Sequence, residues 1–274
     1  MKSTSSQISG VLNIGVCGLG TVGRGTVELL LNNAKQIERR LGYALTISHA
    51  VTRTLDANRK TLLDSCGEIQ VGTDPFAVVK DPQVQIVVEA MGGYDPAFEV
   101  VKQALSNGKH VVTANKALIA EHGNELFPVA EQNNVNLAYE SSVAAGIPII
   151  KVLREGLAAN EIDWVAGIIN GTGNFILTEM AARQRKFEVV LKQAQELGYA
   201  EADPTFDIEG IDAAHKLTII GSIAFGIPLQ FDKTYTEGIS KITPEDISYA
   251  DELGYSIKHL GIARKTEKGV EMRV

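Results

Sequence analysis

Cysteine is scarce: Cys17 and Cys66 are the only two in 274 residues. Two thiols cannot make a disulfide framework, so stability has to come from a packed core. Long apolar runs are lacking as well, and none reaches the roughly 20 residues of a membrane-spanning helix. There is no cationic excess: 26 Lys and Arg stand against 33 Asp and Glu, a net charge of −7. That balance argues against a broad surface for nucleic acid or anionic lipid, because phosphates are held by clustered cations. Residues 1–9 are polar and Ser-rich without an apolar core, so they do not read as a signal peptide, and residues 1–10 are expected to form a disordered tail. Repeats of 20–50 residues are absent. These absences point to a reducing, cytoplasmic setting. What is present is a globular composition, 45% apolar and 22% charged, with material for a real core.

The first half alternates β-rich runs with helical stretches. Residues 11–17, 45–51, 85–90, 110–113 and 136–139 read as strands, and 21–41, 96–107 and 124–133 as helices. Val22, Leu29, Leu30 and Ile37 are expected near one face of the first helix. Strands alternating with helices predict βαβ units and a parallel sheet, with ligands at the carboxyl ends of its strands. The rhythm changes after Gly146-Ile147-Pro148. Helices are expected over 149–156, 175–185, 188–197 and 212–225, and a strand over 164–169. The expected organisation is α/β: residues 11–148 form one domain, and residues 149–274 form a second, α+β domain.

The run 11–17 leads directly into Gly18-Leu19-Gly20-Thr21-Val22-Gly23 and then a helix. A lone GxGxxG is weak, but strand–turn–helix is the context in which it binds a dinucleotide. Gly18 suits the tight turn, Gly20 the approach of a pyrophosphate, and Gly23 close packing. The second strand ends in Thr52-Arg53 rather than in an acidic residue, which favours the 2′-phosphate of NADP over the ribose hydroxyl of NAD, with NAD use still open. Arg59 and Lys60 are read as facing water.

Hydride transfer to a carbonyl needs an acid near the oxygen. Cys17 lies inside a strand and reads as core, and the five histidines show no metal-ligand spacing. Two lysines remain. Lys116 follows the strand end Thr113-Ala114-Asn115, on the crevice side. Lys216 lies four residues after Asp212 on an apolar helix, so the two share a face at the edge of a core. Upstream, Glu201, Asp203, Asp207 and Glu209 form an acidic stretch that is either a solvated loop or a pocket wall for an ammonium group.

The segments GLGTVG (18–23), EAMGG (89–93), GKHVVTANKALIAEHGNEL (108–126), ESSVAAGIP (140–148), NGTGNFIL (170–177) and LGYAEADPTFDIEGIDAAHKL (197–217) together resemble the homoserine dehydrogenase family. The resemblance implies a Rossmann-type, doubly wound nucleotide domain followed by a substrate and dimerisation domain. It also implies NAD(P)-linked interconversion of L-aspartate 4-semialdehyde and L-homoserine, on the way to threonine, isoleucine and methionine. By motif, Lys216 corresponds to the proton donor, Lys116 to a second lysine close to nicotinamide and substrate, and Asp212 to the orienting carboxylate. Glu201 corresponds to the ligand of the substrate amine and Asp207 to a further substrate-site residue. The loop containing Gly171 and Thr172 approaches cofactor and substrate, and Gly92 and Gly93 lie by the nicotinamide. Glu140 with the carbonyls of Val143, Ala145 and Ile147 corresponds to a monovalent-cation site, with sodium the usual ion. A homodimer is implied. Family members continue past the position of Val274, so this chain is expected to be truncated, with a cofactor-binding fragment lacking turnover as the alternative reading. A semialdehyde dehydrogenase ranks lower because it needs an activated thiolate.

Overall fold

The computed structural model describes residues 10–274; of the expected N-terminal tail, residues 1–9 lie outside the described residues. The chain divides into two compact units, Met1–Ser142 and Val143–Val274. In the first, the described residues form a six-stranded sheet of β1 (Val11–Cys17), β2 (Ala44–Val51), β3 (Gln70–Gly72), β4 (Ile86–Glu89), β5 (His110–Thr113) and β6 (Leu137–Ala138). Its order is β3-β2-β1-β4-β5-β6 and every neighbouring pair is parallel. This is the doubly wound arrangement expected from the alternating pattern. Strand order reverses between β1 and β4, where open sheets leave a crevice for ligands. The core beneath it joins Ile14, Val16 and Ile47 of the strands to Val27 and Leu63 of the helices.

The expected helix over 21–41 is two helices, Thr21–Asn32 and Ala34–Leu41, parted at Asn33. The Asn33 side chain donates to the Leu29 carbonyl at 2.9 Å, competing with a continuing helical ladder. The buried residues of the first helix are Gly23 and Val27, whereas Val22 and Leu29 are 52% and 57% exposed. The glycine sets this face, because its missing side chain lets the helix seat against the strand end. The helix expected from 124 begins at Lys116 instead and runs to Gln132 with Pro128 inside it. Its cap is Asn115, whose side chain accepts the Leu118 N–H at 3.2 Å.

The second unit contains a three-stranded antiparallel sheet, β7 (Trp164–Gly167), β8 (Gly261–Thr266) and β9 (Gly269–Arg273), in that order. Helix Ile211–Phe225 packs on it through Leu217 against Ala263 and Met272. Helices Gly171–Arg183, Phe187–Glu196 and Pro244–Glu252 enclose a second apolar cluster that includes Ile176, Met180, Val190 and Ile247. The expected helix over 149–156 is a single α-turn, Ile149–Lys151, followed by a π-turn, Val152–Gly156. Among the described residues no helix is long and apolar enough to cross a membrane.

Candidate active site

The glycine-rich turn starts from the end of β1. Gly18 has φ +100°, and a Cβ there would lie 2.5 Å from the Ala90 carbonyl oxygen. A Cβ on Gly23 would lie 1.9 Å from the Gly18 oxygen. Around Gly20 nothing lies within 4 Å of that position. Two glycines therefore serve close packing, and the middle one faces open space. Gly20 caps the helix without a side-chain hydrogen bond, so the first-turn N–H groups of Thr21 and Val22 remain available to an anion.

This turn borders a cavity of about 360 Å³ whose lining includes Gly18, Gly20, Arg53, Arg59 and Gly92. The volume lies within the range of small-molecule sites. Arg53 is exposed at the rim and forms no ion pair or hydrogen bond among the described residues. Arg59, expected to face water, is part of the wall. Its Nε donates to the Leu19 carbonyl at 2.9 Å, and its terminal nitrogen donates to the Thr54 carbonyl and hydroxyl at 2.9 and 2.6 Å. An open cradle of this kind fits a dinucleotide. A larger cavity of about 680 Å³, lined by Ser48 and His49 among others, shares none of these residues, and His49 there is already engaged by Ser48 and Asp81.

Across the switch point, Lys116 is the first residue of its helix and is half-buried. The preceding Asn115 donates from its side chain to the Gly93 carbonyl at 2.6 Å. Lys116 thereby directly follows a residue tied to the Gly92–Gly93 turn after β4.

In the second unit the site is organised by Asn170, which is 3% exposed. Its side-chain oxygen caps helix Gly171–Arg183 by accepting the Gly173 N–H at 2.7 Å. Its amide nitrogen donates to Asp207 Oδ1 at 2.6 Å and to Asp212 Oδ2 at 2.9 Å. Lys216 Nζ donates to the same Asp212 oxygen at 2.7 Å and to the Ile169 carbonyl at 2.9 Å. An ammonium group has three N–H bonds, and Lys216 has no third acceptor among the described residues. The predicted Asp207, Asp212 and Lys216 are thus brought together. Asn170 is held in turn by Asn174, which donates to the Asn170 and His259 carbonyls at 2.9 and 3.0 Å.

Thr172 donates to the Tyr199 carbonyl at 2.8 Å, tying the loop at exposed Gly171 to the chain just before Glu201. The Glu201 carboxylate is exposed and outside the Asn170 cluster, and only its backbone carbonyl is engaged, by Gln195. Asn170 was legible only as part of a loop motif, and Arg59 and Glu89 carried no spacing signal of their own.

Among the described residues no cluster of three or more His, Cys, Asp and Glu could hold a metal ion. The segment 140–148 offers a different donor set. Glu140 opens a 3-10 turn, and Ala145 has φ +49°. No backbone N–H of the described residues donates to the Val143 or Ala145 carbonyl, whereas that of Ile147 accepts the Ile149 N–H at 2.8 Å. Oxygen donors of this kind fit a hard monovalent cation rather than a transition metal. Cys17, fully buried, has its thiol pushed up to about 12 by burial and by the nearby Glu89 and Asp74 carboxylates. Cys66 is also raised by burial. Neither offers a thiolate nucleophile.

Comparison with known proteins gives a consistent picture. A family model described as homoserine dehydrogenase, NAD binding domain matches residues 18–140, and one described as homoserine dehydrogenase matches residues 148–274. A homoserine dehydrogenase of Pseudomonas aeruginosa is 59% identical over 263 residues, 96% of this chain and 59% of that protein. The crystal structure of a homoserine dehydrogenase from Thiobacillus denitrificans superposes with a TM-score of 0.91 at 57% identity, over 96% of this chain and 60% of that one. A putative homoserine dehydrogenase from Archaeoglobus fulgidus superposes with a TM-score of 0.82 at 34% identity, over 95% of this chain and 82% of that one. The chain spans about 60% of the length of the first two.

Proposed function

Because the chain belongs to the homoserine dehydrogenase family, we propose that it reduces L-aspartate 4-semialdehyde reversibly to L-homoserine with NADPH in preference to NADH. The observation that carries this reading is the Lys216 ammonium, held by Asp212 and the Ile169 carbonyl with one N–H unspent. Bound cofactor supplies the hydride that reaches the aldehyde carbon. The carbonyl oxygen then takes a proton from Lys216, so no covalent enzyme intermediate is needed. Asp212, fixed by Asn170, aims the ammonium. Lys116 serves the nicotinamide end. Glu201 binds the substrate amine, and Asp207 lines the same site.

Gly18–Gly23 would hold the pyrophosphate, and Arg53 the 2′-phosphate. Support for NADPH comes from the exposed, unengaged Arg53 at the cavity rim. Glu140 and the carbonyls of Val143, Ala145 and Ile147 would hold sodium, supported by the two uncommitted carbonyls. A homodimer would form through the second unit, where Trp164 and Ile168 are 65% and 54% exposed. The test is the loss of NADPH absorbance on adding L-aspartate 4-semialdehyde. Substrate-dependent loss, larger with NADPH than with NADH at equal concentration, is expected. Absence of any substrate-dependent loss would remove the reading.

A further inference from the structure

Glu89 ends β4 and is 0% exposed, although the three residues before it are Ile86-Val87-Val88. Its Oε1 accepts the Met91 and Gly92 N–H groups at 2.8 and 3.1 Å, and its Oε2 accepts the Thr113 hydroxyl at 2.6 Å. Thr113, also 0% exposed, is its register partner on β5. The Thr113 oxygen accepts the Asn115 N–H at 2.9 Å, and the Asn115 side chain returns to the Gly93 carbonyl at 2.6 Å. The hydrogen bonds thus close a circuit from Glu89 through Thr113 and Asn115 to the Gly92–Gly93 turn and back. Both turn glycines have φ +72°, a conformation open to glycine without strain, and fixing two such mobile residues in one state costs conformational entropy.

A carboxylate buried without a cation is costly, and here three hydrogen-bond donors take the place of its water. Another valine would fill the position without that cost. The geometry points to a directing role: we infer that Glu89 is the positioning residue that clamps the Gly92–Gly93 turn and, through Thr113 and Asn115, the helix start bearing Lys116 into one cofactor-facing unit. This rests on the dinucleotide reading proposed above.

Three variants separate the parts of the clamp. In Glu89→Gln, Oε1 still accepts both turn N–H groups and the amide donates to Thr113, so NADPH affinity, read by cofactor fluorescence, is expected within about twofold of wild type. Glu89→Ala leaves buried donors unpaired, and its affinity is expected to fall roughly tenfold or more. Thr113→Val removes the hydroxyl that donates to Glu89 Oε2 and accepts the Asn115 N–H but leaves Oε1 on the Met91 and Gly92 N–H groups, so kcat is expected to fall while NADPH affinity stays near wild type. Hydrogen exchange at the Met91 and Gly92 amides supplies a readout independent of cofactor: protection is kept in Glu89→Gln and Thr113→Val and lost in Glu89→Ala. The clamp is overturned by wild-type protection and affinity in folded Glu89→Ala. If Glu89→Ala does not fold, unchanged kcat in Thr113→Val overturns it, and reduced kcat at constant affinity supports it. Failure of the wild-type protein to bind NADPH would instead defeat the dinucleotide reading, while the amide protection still decides the clamp.

Discussion

Lys216 combines two fixed acceptors with one uncommitted N–H. A positioned general acid is worth about 10²–10⁴ in rate, so Lys216→Ala is expected to lower kcat by that order. NADPH affinity should stay close to wild type, because the substituted group lies in the second unit and the cradle in the first. Steady-state kinetics beside a fluorescence titration checks this, and near-normal turnover would remove Lys216 from the role. Arg53 makes a separable prediction. It is unengaged at the rim, whereas Arg59 braces the Leu19 carbonyl. Arg53→Asp should therefore weaken NADPH much more than NADH, and Arg59→Met should weaken both alike. Parallel titrations with the two cofactors distinguish them; equal loss in Arg53→Asp would mean that it does not meet the 2′-phosphate.

Among elements, the glycine turn and the helix it opens are inseparable. Gly23→Ala places a methyl 1.9 Å from the Gly18 oxygen, which is backbone and cannot swing aside. A loss of about 1–3 kcal/mol is expected, as for other overpacked sites, together with weaker cofactor binding, measured by denaturant melts and titration. The βαβ rhythm was readable because short Val- and Ile-rich runs lie between helices with apolar faces. Helix Lys116–Gln132 was placed eight residues late because Pro128 and the Gly123-Asn124 pair disguise its continuity, although the Asn115 cap before Lys116 was a usable start signal. The β8–β9 hairpin was missed because Arg264, Lys265 and Glu271 interrupt its pattern and only Gly261, Ala263 and Met272 are buried. Lysines and acids carried by strongly patterned helices were legible. Asn170, Glu89 and Arg59 work through contacts 24 to 42 residues away in sequence, such as Glu89–Thr113 and Asn170–Asp212, and no local spacing reveals those.

For the whole molecule, acid is expected to destabilise before base does. The Asp203 and Asp246 carboxyls are held below their ordinary 3.8 by hydrogen bonds from Thr205 and Thr243, and Glu161 is held below 4.5 by the hydrogen bond from Lys265. Depressed carboxyl values mean that the unfolded chain binds protons more readily, so this stability is complete above those ordinary values and is lost as pH falls through the folded-state ones. Thermal melts should hold steady from neutrality down to about pH 5 and then decline; a midpoint unchanged to pH 3 would contradict this. The reaction proposed for the chain is direct hydride transfer from cofactor to aldehyde. Reaction of NADPH deuterated at the transferable nicotinamide position with L-aspartate 4-semialdehyde tests it most directly. L-homoserine carrying one deuterium on its alcohol carbon is expected; homoserine without label there, or no homoserine at all, would rule direct transfer out.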